Sequence, residues 1–304
     1  MKKKILISIV GPTAVGKTAT AIELAKQFEA EIISSDSRQF YKEISIGTAK
    51  PTADELAKIP HHFINNLSIS ESYNASFFED QVIEFLNSYF KTNDVAIMCG
   101  GSGMYVNAVL KGFDSEIPTA NEKLRTELNS KYQEFGLTYL QNILEKIDPI
   151  HFGSIDIHNS KRLIRAIEIC KITGKSNAEI KKGEAKQRPF NTIEIGLELP
   201  RPCLYEQINQ RVDLMLGQGL VEEVKSLQEH KNNNALKTVG YKETFDYLDG
   251  IYTLEECTEK IKTNSRRYAK RQLTWFKRNQ ELVWFSPKEI NKISKYIRTK
   301  IEQQ

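Results

Sequence analysis

The stretch that decides the fold is Ile5-Leu-Ile-Ser-Ile-Val10 followed by Gly11-Pro-Thr-Ala-Val-Gly16-Lys17-Thr18. Its first six residues are apolar or small without polar alternation, which is typical of a parallel strand buried on both faces. The next eight match the pattern GxxxxGK[ST], and they stand where a strand ends and a helical pattern begins. The stretch therefore predicts a phosphate-binding loop between a buried strand and a helix.

Each part of this loop has a chemical purpose. Glycines allow backbone N–H groups to turn inward onto phosphate oxygens, and the following helix adds the positive end of its dipole. Lys17 supplies a mobile positive charge, and the Thr18 hydroxyl is placed to reach Mg²⁺. The loop predicts that a phosphate or diphosphate binds, but it does not identify the compound.

The next hydrophobic strand narrows the choice of compound. A P-loop nucleotide hydrolase usually holds its magnesium with an aspartate at the end of a second hydrophobic strand. Here the run Val95 to Cys99 ends in Gly-Gly-Ser-Gly without an acid, and Asp94 lies at its other end. This weakens the case for ATP hydrolysis and favours a loop that grips a diphosphate leaving group.

An acid does follow a different strand. Ile32 to Ser35 is a short apolar run, and Asp36 comes directly after it. In an open α/β sheet the carboxyl ends of the strands form the ligand crevice, so this carboxylate is a candidate general base beside the phosphate loop. Aspartate also caps turns and helices, and position alone leaves both roles open.

The order of the remaining elements indicates the fold class. Helical patterns over Thr18 to Phe28 and Glu79 to Phe90 alternate with the apolar strands, which is the rhythm of an α/β protein. The middle of the chain carries amphipathic helical patterns instead, over Glu122 to Tyr132, Leu137 to Lys146 and Ser160 to Thr173. We predict a P-loop NTPase-like core with a parallel sheet over residues 1–113 and 191–304, interrupted by an all-helical domain over residues 114–190.

Composition sets broad limits. The 304 residues are 40% hydrophobic and 27% charged with a net charge of +4, which permits a nucleic-acid partner without requiring one. The four cysteines form no CxxC pair, which argues against a zinc site or a disulfide framework and fits reduced, buried thiols. No window approaches the roughly 18 consecutive apolar residues of a membrane span. We expect a soluble, cytoplasmic protein with no membrane association.

Basic residues cluster near the carboxyl end of the chain, where we predict a basic C-terminal helix. The segment Lys260 to Arg278 contains eight Lys or Arg residues and no acid, and on a helix Arg267, Lys270, Arg271 and Arg278 fall near one face. Such runs are usually solvated surfaces, and aromatic residues lie among these, so the segment by itself leaves a solvated face and contact with an RNA backbone both open. Lys161, Arg162 and Arg165 form a second basic face.

Taken in order, six motifs resemble the bacterial tRNA dimethylallyltransferase (tRNA isopentenyltransferase) family. They are GPTAVGKT, ISSDSRQFYKEISIGTAKP, CGGSGMYVNAVLKG, NSKRLIRAIEI, TVGYKE and RRYAKRQLTWFKR, and together they run over nearly the whole chain. The P-loop is shared by many enzymes, whereas Asp-Ser-x-Gln-x-Tyr followed by Ile-Gly-Thr-Ala-Lys-Pro is specific.

The resemblance implies a reaction and a set of site residues. The family transfers a dimethylallyl group from dimethylallyl diphosphate to N6 of the adenosine on the 3′ side of the anticodon and releases diphosphate. By analogy, Asp36 is the general base, Thr13, Lys17 and Arg211 act beside it, and Mg²⁺ is held through Thr18. The expected diphosphate site comprises Gly11, Thr13, Ala14, Val15, Gly16, Lys17, Thr18 and Arg211. The expected contacts with the tRNA anticodon stem-loop are Asp36, Ser37, Arg38, Gln39, Ser102, Arg125, Lys161, Arg162, Leu163, Ile164, Arg165, Arg267 and Arg271.

One departure and three alternatives remain. Ser102 stands where the family usually has threonine, so the hydroxyl is kept and a methyl is lost. A small-molecule kinase needs an acidic magnesium ligand that the strand ending at Cys99 lacks. An adenylate isopentenyltransferase would not need the helical domain or the basic helix, and an RNA-binding protein with a relic P-loop would not need Asp36 and Arg211 together. We expect a monomer.

Overall fold

The computed structural model describes residues 3–112, 118, 120–180 and 186–304, in two compact units. One unit takes in the chain up to Leu110 and again from Arg188 to Gln304, and the other runs from Lys111 to Gln187. The predicted domain boundary at residues 113 and 114 lies outside the described residues. The first unit contains the phosphate loop.

A parallel sheet organises the first unit. Among the described residues its six strands have the order β3-β2-β4-β1-β5-β6 and are all parallel. They are β1 Ile5–Val10, β2 Ile32–Ser34, β3 His61–His62, β4 Val95–Gly100, β5 Asn191–Leu197 and β6 Val283–Phe285. The α/β fold class with a parallel sheet is thereby confirmed.

The central strand β1 brings three strand ends to one edge of the sheet. Val10 pairs with Gly100 of β4 on one side and with Gly196 of β5 on the other. Because the strands are parallel, the loops that follow β1 and β4 leave the sheet side by side. The phosphate loop after Val10 therefore lies beside the glycine-rich loop after Gly100.

Helices cover both faces of this sheet. Along β1, Leu6 and Val10 belong to one buried cluster while Ile5, Ile7 and Ile9 belong to another, as expected for a strand covered on both sides. The helices of this unit are α1 Lys17–Phe28, α2 Ala53–Lys58, α3 Ala75–Tyr89, α4 Gly103–Lys111, α10 Arg201–Gly217, α11 Leu220–Ser226, α12 Tyr241–Leu248, α13 Leu254–Phe276 and α14 Ile290–Gln303, with short 3₁₀ turns at Gln228–His230 and Asn234–Leu236.

The described part of the second unit is helical. Its helices are α5 Glu122–Phe135, α6 Leu137–Ile147, α7 Pro149–Phe152, α8 Ser160–Thr173 and α9 Asn177–Ile180. They share a small core in which Leu128, Leu140, Leu144, Leu163 and Ile167 are fully buried. This core gives the unit its own hydrophobic support.

Three expectations need correction or comment. The basic helix α13 is not the C-terminal helix, because strand β6 and helix α14 follow it. Cys203 is exposed, so the expectation of buried thiols is wrong for that residue. Within the part of the chain that the structure describes, no helix is long and apolar enough to cross a membrane.

Candidate active site

The phosphate loop owes its path to two glycines. A side chain at Gly11 would place its first carbon 2.6 Å from the carbonyl oxygen of Leu197, so the loop lies too close to β5 for any larger residue. Gly16 has φ 99°, a left-handed conformation that costs glycine little. These two positions fold the chain back sharply from β1 into α1.

Helix α1 begins without a side-chain cap. Its N-cap is Gly16, so the first N–H groups of the helix receive no hydrogen bond from a capping side chain. The Lys17 ammonium donates to the carbonyl of Pro12 at 2.7 Å, which folds the lysine back over the loop. Free amides, a helix dipole and an ammonium on one concave surface are what an anion needs.

A cavity of about 470 Å³ opens beside this loop. It collects residues from distant parts of the chain, and the expected site residues Thr13, Ala14, Gly16, Lys17, Thr18, Asp36, Gln39 and Arg211 all line it. Its other walls include the apolar side chains of Ile46, Ile64, Leu214 and Met215. The cavity thus combines an anion-binding end with an apolar surface, the usual composition of a small-molecule site.

Burial changes the acid–base properties of the two cations in this cavity. Removal from water lowers the pKa of Lys17 to about 8, against the opposing effects of Cys99 and Asp36. Burial also lowers the pKa of Arg211, which the negative charge of Asp36 opposes. Both cations are short of solvation, so a bound anion would gain more from them than from exposed side chains.

Arg211 reaches the phosphate loop from α10. Its Nη1 donates to the Thr13 hydroxyl at 3.4 Å, although the two residues are 198 positions apart. The guanidinium therefore lies beside the phosphate loop, in the same cavity as Lys17. This is the placement that the resemblance implies for a second cation on the diphosphate.

Asp36 caps a turn and also lies at the cavity, and its role as general base stays a prediction. Its Oδ1 accepts the N–H of Arg38 at 3.0 Å, so the side chain caps a turn. The residue also lines the cavity, where its charge acts on Lys17 and Arg211. Because a carboxylate has two oxygens, capping with Oδ1 leaves Oδ2 for other chemistry.

The Ser102 hydroxyl makes hydrogen bonds to Ser37 and to Tyr268. The hydroxyl accepts the N–H of Ser37 at 3.0 Å and lies 3.2 Å from the Ser37 hydroxyl, to which it donates. It also bonds to the phenol of Tyr268, whose pKa burial and the nearby Asp36 raise to about 12. The serine therefore ties the turn after Asp36 to helix α13 without the family's methyl group.

Two expected RNA contacts make internal bonds. The Arg38 guanidinium donates to the carbonyls of Asn234 and Ala235 at 3.1 and 3.2 Å. The Gln39 amide donates to the carbonyls of Thr48 and Ala49 at 3.3 and 3.2 Å. These side chains hold neighbouring loops in place, and a contact with RNA stays a prediction for both.

The basic side chains of α13 divide into two groups. Lys262 pairs with Asp213 at 2.8 Å, and Arg266 donates to Asn209 at 2.6 Å. Arg267, Lys270 and Arg271 are exposed. These three exposed side chains form the solvent-facing part of the predicted RNA-contact face, and their contact with RNA stays a prediction.

The expected RNA contacts of the helical unit also differ among themselves. Lys161 and Arg162 are exposed on the first turn of α8. Arg125 and Arg165 both bond to the buried carboxylate of Glu168. Leu163 and Ile164 are 0% and 6% exposed, because the apolar face of α8 packs into the core of the unit. A contact between either residue and tRNA stays a prediction.

Residues that the sequence did not single out complete the site. Gln272 lines the cavity and accepts the N–H of Thr13 at 2.8 Å. The Glu223 carboxylate accepts the N–H groups of Ser45, Ile46 and Gly47 at 2.9, 2.8 and 3.2 Å, and so shapes the loop that carries Ile46 into the cavity. Gln272 lies within the motif RQLTW, but the spacing of residues in that motif gives no sign of a hydrogen bond to Thr13, which is 259 positions away.

The donor set fits a magnesium ion held mainly by a substrate. Within the described ranges no group of three or more His, Cys, Asp or Glu side chains is arranged to bind a metal. The loop offers the Thr18 hydroxyl, and Mg²⁺ commonly takes one or two protein oxygens together with substrate phosphates and water. The residues present are compatible with such an ion.

Comparison with known proteins places this geometry in a family. A family model described as IPP transferase matches residues 39–279. A tRNA dimethylallyltransferase of Cytophaga hutchinsonii is 47% identical over 99% of this chain and 98% of its own length. The tRNA dimethylallyltransferase 1 of Bacteroides fragilis is 44% identical over 99% of this chain and 100% of its own length.

Solved structures agree with the sequence comparison. The full-length tRNA isopentenylpyrophosphate transferase of Bacillus halodurans is 41% identical with a TM-score of 0.74, over 99% of this chain and 98% of that chain. A eukaryotic dimethylallyltransferase acting on tRNA is 29% identical with a TM-score of 0.78, over 95% of this chain and 75% of that chain. With a family model over most of its length and relatives above 40% identity, the chain belongs to the IPP transferase family, together with the bacterial tRNA dimethylallyltransferases.

Proposed function

We propose that this protein transfers the dimethylallyl group of dimethylallyl diphosphate to N6 of the adenosine on the 3′ side of the anticodon of tRNA, with release of diphosphate. One observation carries the proposal for this chain. Lys17 and Arg211, two poorly solvated cations, share a cavity with the carboxylate of Asp36. An anion site and a base in one cavity match a displacement in which diphosphate leaves as a proton is removed.

The anion end of the cavity would hold the donor. Lys17, Arg211 and the free amides at the start of α1 would bind the diphosphate, and Thr13 would contact it beside Arg211. Thr18 would help to hold Mg²⁺, which would supply further neutralisation of the departing charge. As the allylic C–O bond breaks, negative charge grows on the diphosphate, so these cations favour the transition state over the ground state.

Asp36 would act on the acceptor. The exocyclic amine of adenine is a weak nucleophile because its lone pair is delocalised into the ring. As N6 forms its bond to the allylic carbon, one N–H proton would pass to the free carboxylate oxygen of Asp36, which balances the charge on nitrogen. The adenine must leave the stack of its loop to enter the cavity, at a cost of a few kcal/mol.

The RNA would be held by surfaces outside this cavity. The exposed Arg267, Lys270 and Arg271 of α13 would contact phosphates, and Lys161 and Arg162 of α8 would do the same in the helical unit. We propose a monomer as the working form. A tRNA substrate supports a cytoplasmic location.

The experiment supplies purified protein with labelled dimethylallyl diphosphate and Mg²⁺. Bulk tRNA and AMP are offered as acceptors in separate reactions, and ATP hydrolysis is followed in a third. We expect label in tRNA, little in AMP and negligible ATP turnover. Label in AMP alone would indicate a free-nucleotide prenyltransferase, and rapid ATP turnover without prenyl transfer would indicate a kinase-like enzyme.

A further inference from the structure

Helix α13 contacts three consecutive residues that follow β4, the third of which is the first residue of α4. The Gln272 amide donates to the Gly101 carbonyl at 2.9 Å, and Tyr268 bonds to the Ser102 hydroxyl. Trp275 lies against Gly103, where a side-chain carbon would fall 2.1 Å from the indole nitrogen. One helix therefore fixes the backbone that lies beside the phosphate loop.

Gln272 also bonds to the phosphate loop itself. Its Oε1 accepts the Thr13 N–H at 2.8 Å, while its Nε2 makes the bond to Gly101. The side chain is 6% exposed. A buried amide with both ends bonded has one orientation, because turning it over would leave a donor facing a donor and an acceptor facing an acceptor.

The hydrogen bond from the Thr13 N–H to Gln272 determines which groups of Thr13 remain for a bound anion. Its N–H is engaged by Gln272 and so does not point at an anion in the cavity. The residue instead offers its hydroxyl, which lies 3.4 Å from the Arg211 guanidinium. Where this hydroxyl stands relative to Arg211 therefore depends on the glutamine behind it.

We propose that Gln272 is a positioning residue, which holds Thr13 so that its hydroxyl and Arg211 together face the departing diphosphate. The proposal rests on the proposed function, since it assigns a role within that reaction. The same helix places Tyr268 close enough to Asp36 for the carboxylate to influence the phenol. Gln272 thus links the donor loop to the helix that borders the acceptor side.

A purely structural glutamine would behave differently. Helix α13 also carries Arg267, Lys270 and Arg271, so general damage to the helix would weaken tRNA binding along with catalysis. A positioning role through Thr13 predicts a selective loss, confined to binding of diphosphate and to the chemical step. It also predicts that the loss depends on the presence of the Thr13 hydroxyl.

The test is a double-mutant cycle of Gln272→Met and Thr13→Ala. Methionine fills the space of glutamine without its hydrogen bonds, and alanine keeps the Thr13 N–H while removing the hydroxyl. Single-turnover prenyl transfer, affinity for inorganic diphosphate with Mg²⁺ and affinity for tRNA are measured for all four proteins. Asn264→Ala is the matched control, because it removes a carboxamide of α13 that bonds to Glu243 instead of the phosphate loop.

The expected effect of Gln272→Met is a transfer rate about 10- to 100-fold lower and a diphosphate affinity about five- to tenfold lower, with tRNA affinity unchanged within about twofold. In the Thr13→Ala protein the same substitution should add less than about threefold. Asn264→Ala should leave diphosphate affinity unchanged.

Multiplicative losses in the double variant, or a loss of tRNA affinity equal to the loss of rate, would overturn the proposal. If Gln272→Met does not fold, Gln272→Asn, which is too short to reach Thr13 and Gly101 together, takes its place in the cycle. The diphosphate arm needs no prenyl transfer. An inactive wild-type protein would therefore refute the proposed function, while coupling between the two residues would still be measured.

Discussion

The pH dependence of donor binding follows from the environment of Lys17. Burial brings the pKa of its ammonium down to about 8 in the free protein. The proposed donor, dimethylallyl diphosphate, should bind the charged form, so its binding should raise that pKa again. By linkage, the affinity is complete below pH 8 and is lost as the pH rises through that value.

The size of the effect can be worked out from the same pKa. With a pKa of about 8 the ammonium is about nine-tenths charged at pH 7, half charged at pH 8 and about one-tenth charged at pH 9. If the neutral amine contributes nothing, the affinity for the donor falls about tenfold between pH 7 and pH 9. A lysine with an ordinary pKa would lose almost none over that interval.

The assay is the equilibrium dissociation constant of dimethylallyl diphosphate at pH 7, 8 and 9, with Mg²⁺ fixed. Lys17→Met is the control, because it binds more weakly at every pH but has no charge to lose. Any ionisation of the donor itself affects both proteins, so the difference between the two profiles isolates the lysine. Parallel profiles for wild type and Lys17→Met would refute the argument.

Three further predictions test other parts of the account. Asp36→Asn keeps an oxygen that can cap the turn but removes the carboxylate that would act as base. Single-turnover transfer should therefore slow by about 10²–10⁴-fold, while tRNA affinity changes less than about threefold. An unaltered rate of transfer would leave Asp36 only its capping role. Neutralising Arg267 and Arg271 together should weaken the salt dependence of tRNA binding, with the slope of log affinity against log salt concentration reduced by about 0.7–0.9 per lost phosphate contact. Arg211→Ala should keep that slope and weaken binding of the donor. Identical behaviour of the two variants would contradict separate sites. Glu79→Ala removes the carboxylate that pairs with the Arg188 guanidinium at 2.8 Å, and the side chain of Arg188 is only 10% exposed. The change should cost about 3 kcal/mol in the free energy of unfolding, which denaturant titration would measure.

Long, regular elements were predictable from the sequence. Strand Ile5–Val10 and helix Ser160–Thr173 have the bounds that their apolar patterns predict. Strand β3 was missed, since two adjacent histidines carry no strand pattern and pair only at the edge of the sheet. Strand β6 was missed because three residues are too few to establish a period.

The candidate active site also has parts that the sequence predicts and parts that it does not. Local motifs identify the phosphate loop and Asp36, because a loop and a strand end each lie within a few consecutive residues. The links between them span long stretches of chain, as in the bond from Gln272 to Thr13 and the bonds from Glu223 to the loop at Ile46. A single sequence holds no signal for such pairs, and only the fold brings them together.

The most direct test of the central claim is the chemical identity of the product. Wild-type protein is incubated with dimethylallyl diphosphate, Mg²⁺ and unmodified tRNA, and the RNA is digested to nucleosides for mass analysis while released diphosphate is quantified. We expect one N6-dimethylallyladenosine in each modified tRNA, located on the 3′ side of the anticodon, and one diphosphate for each. Diphosphate released without a prenylated adenosine, or a prenyl group on another base, would contradict it.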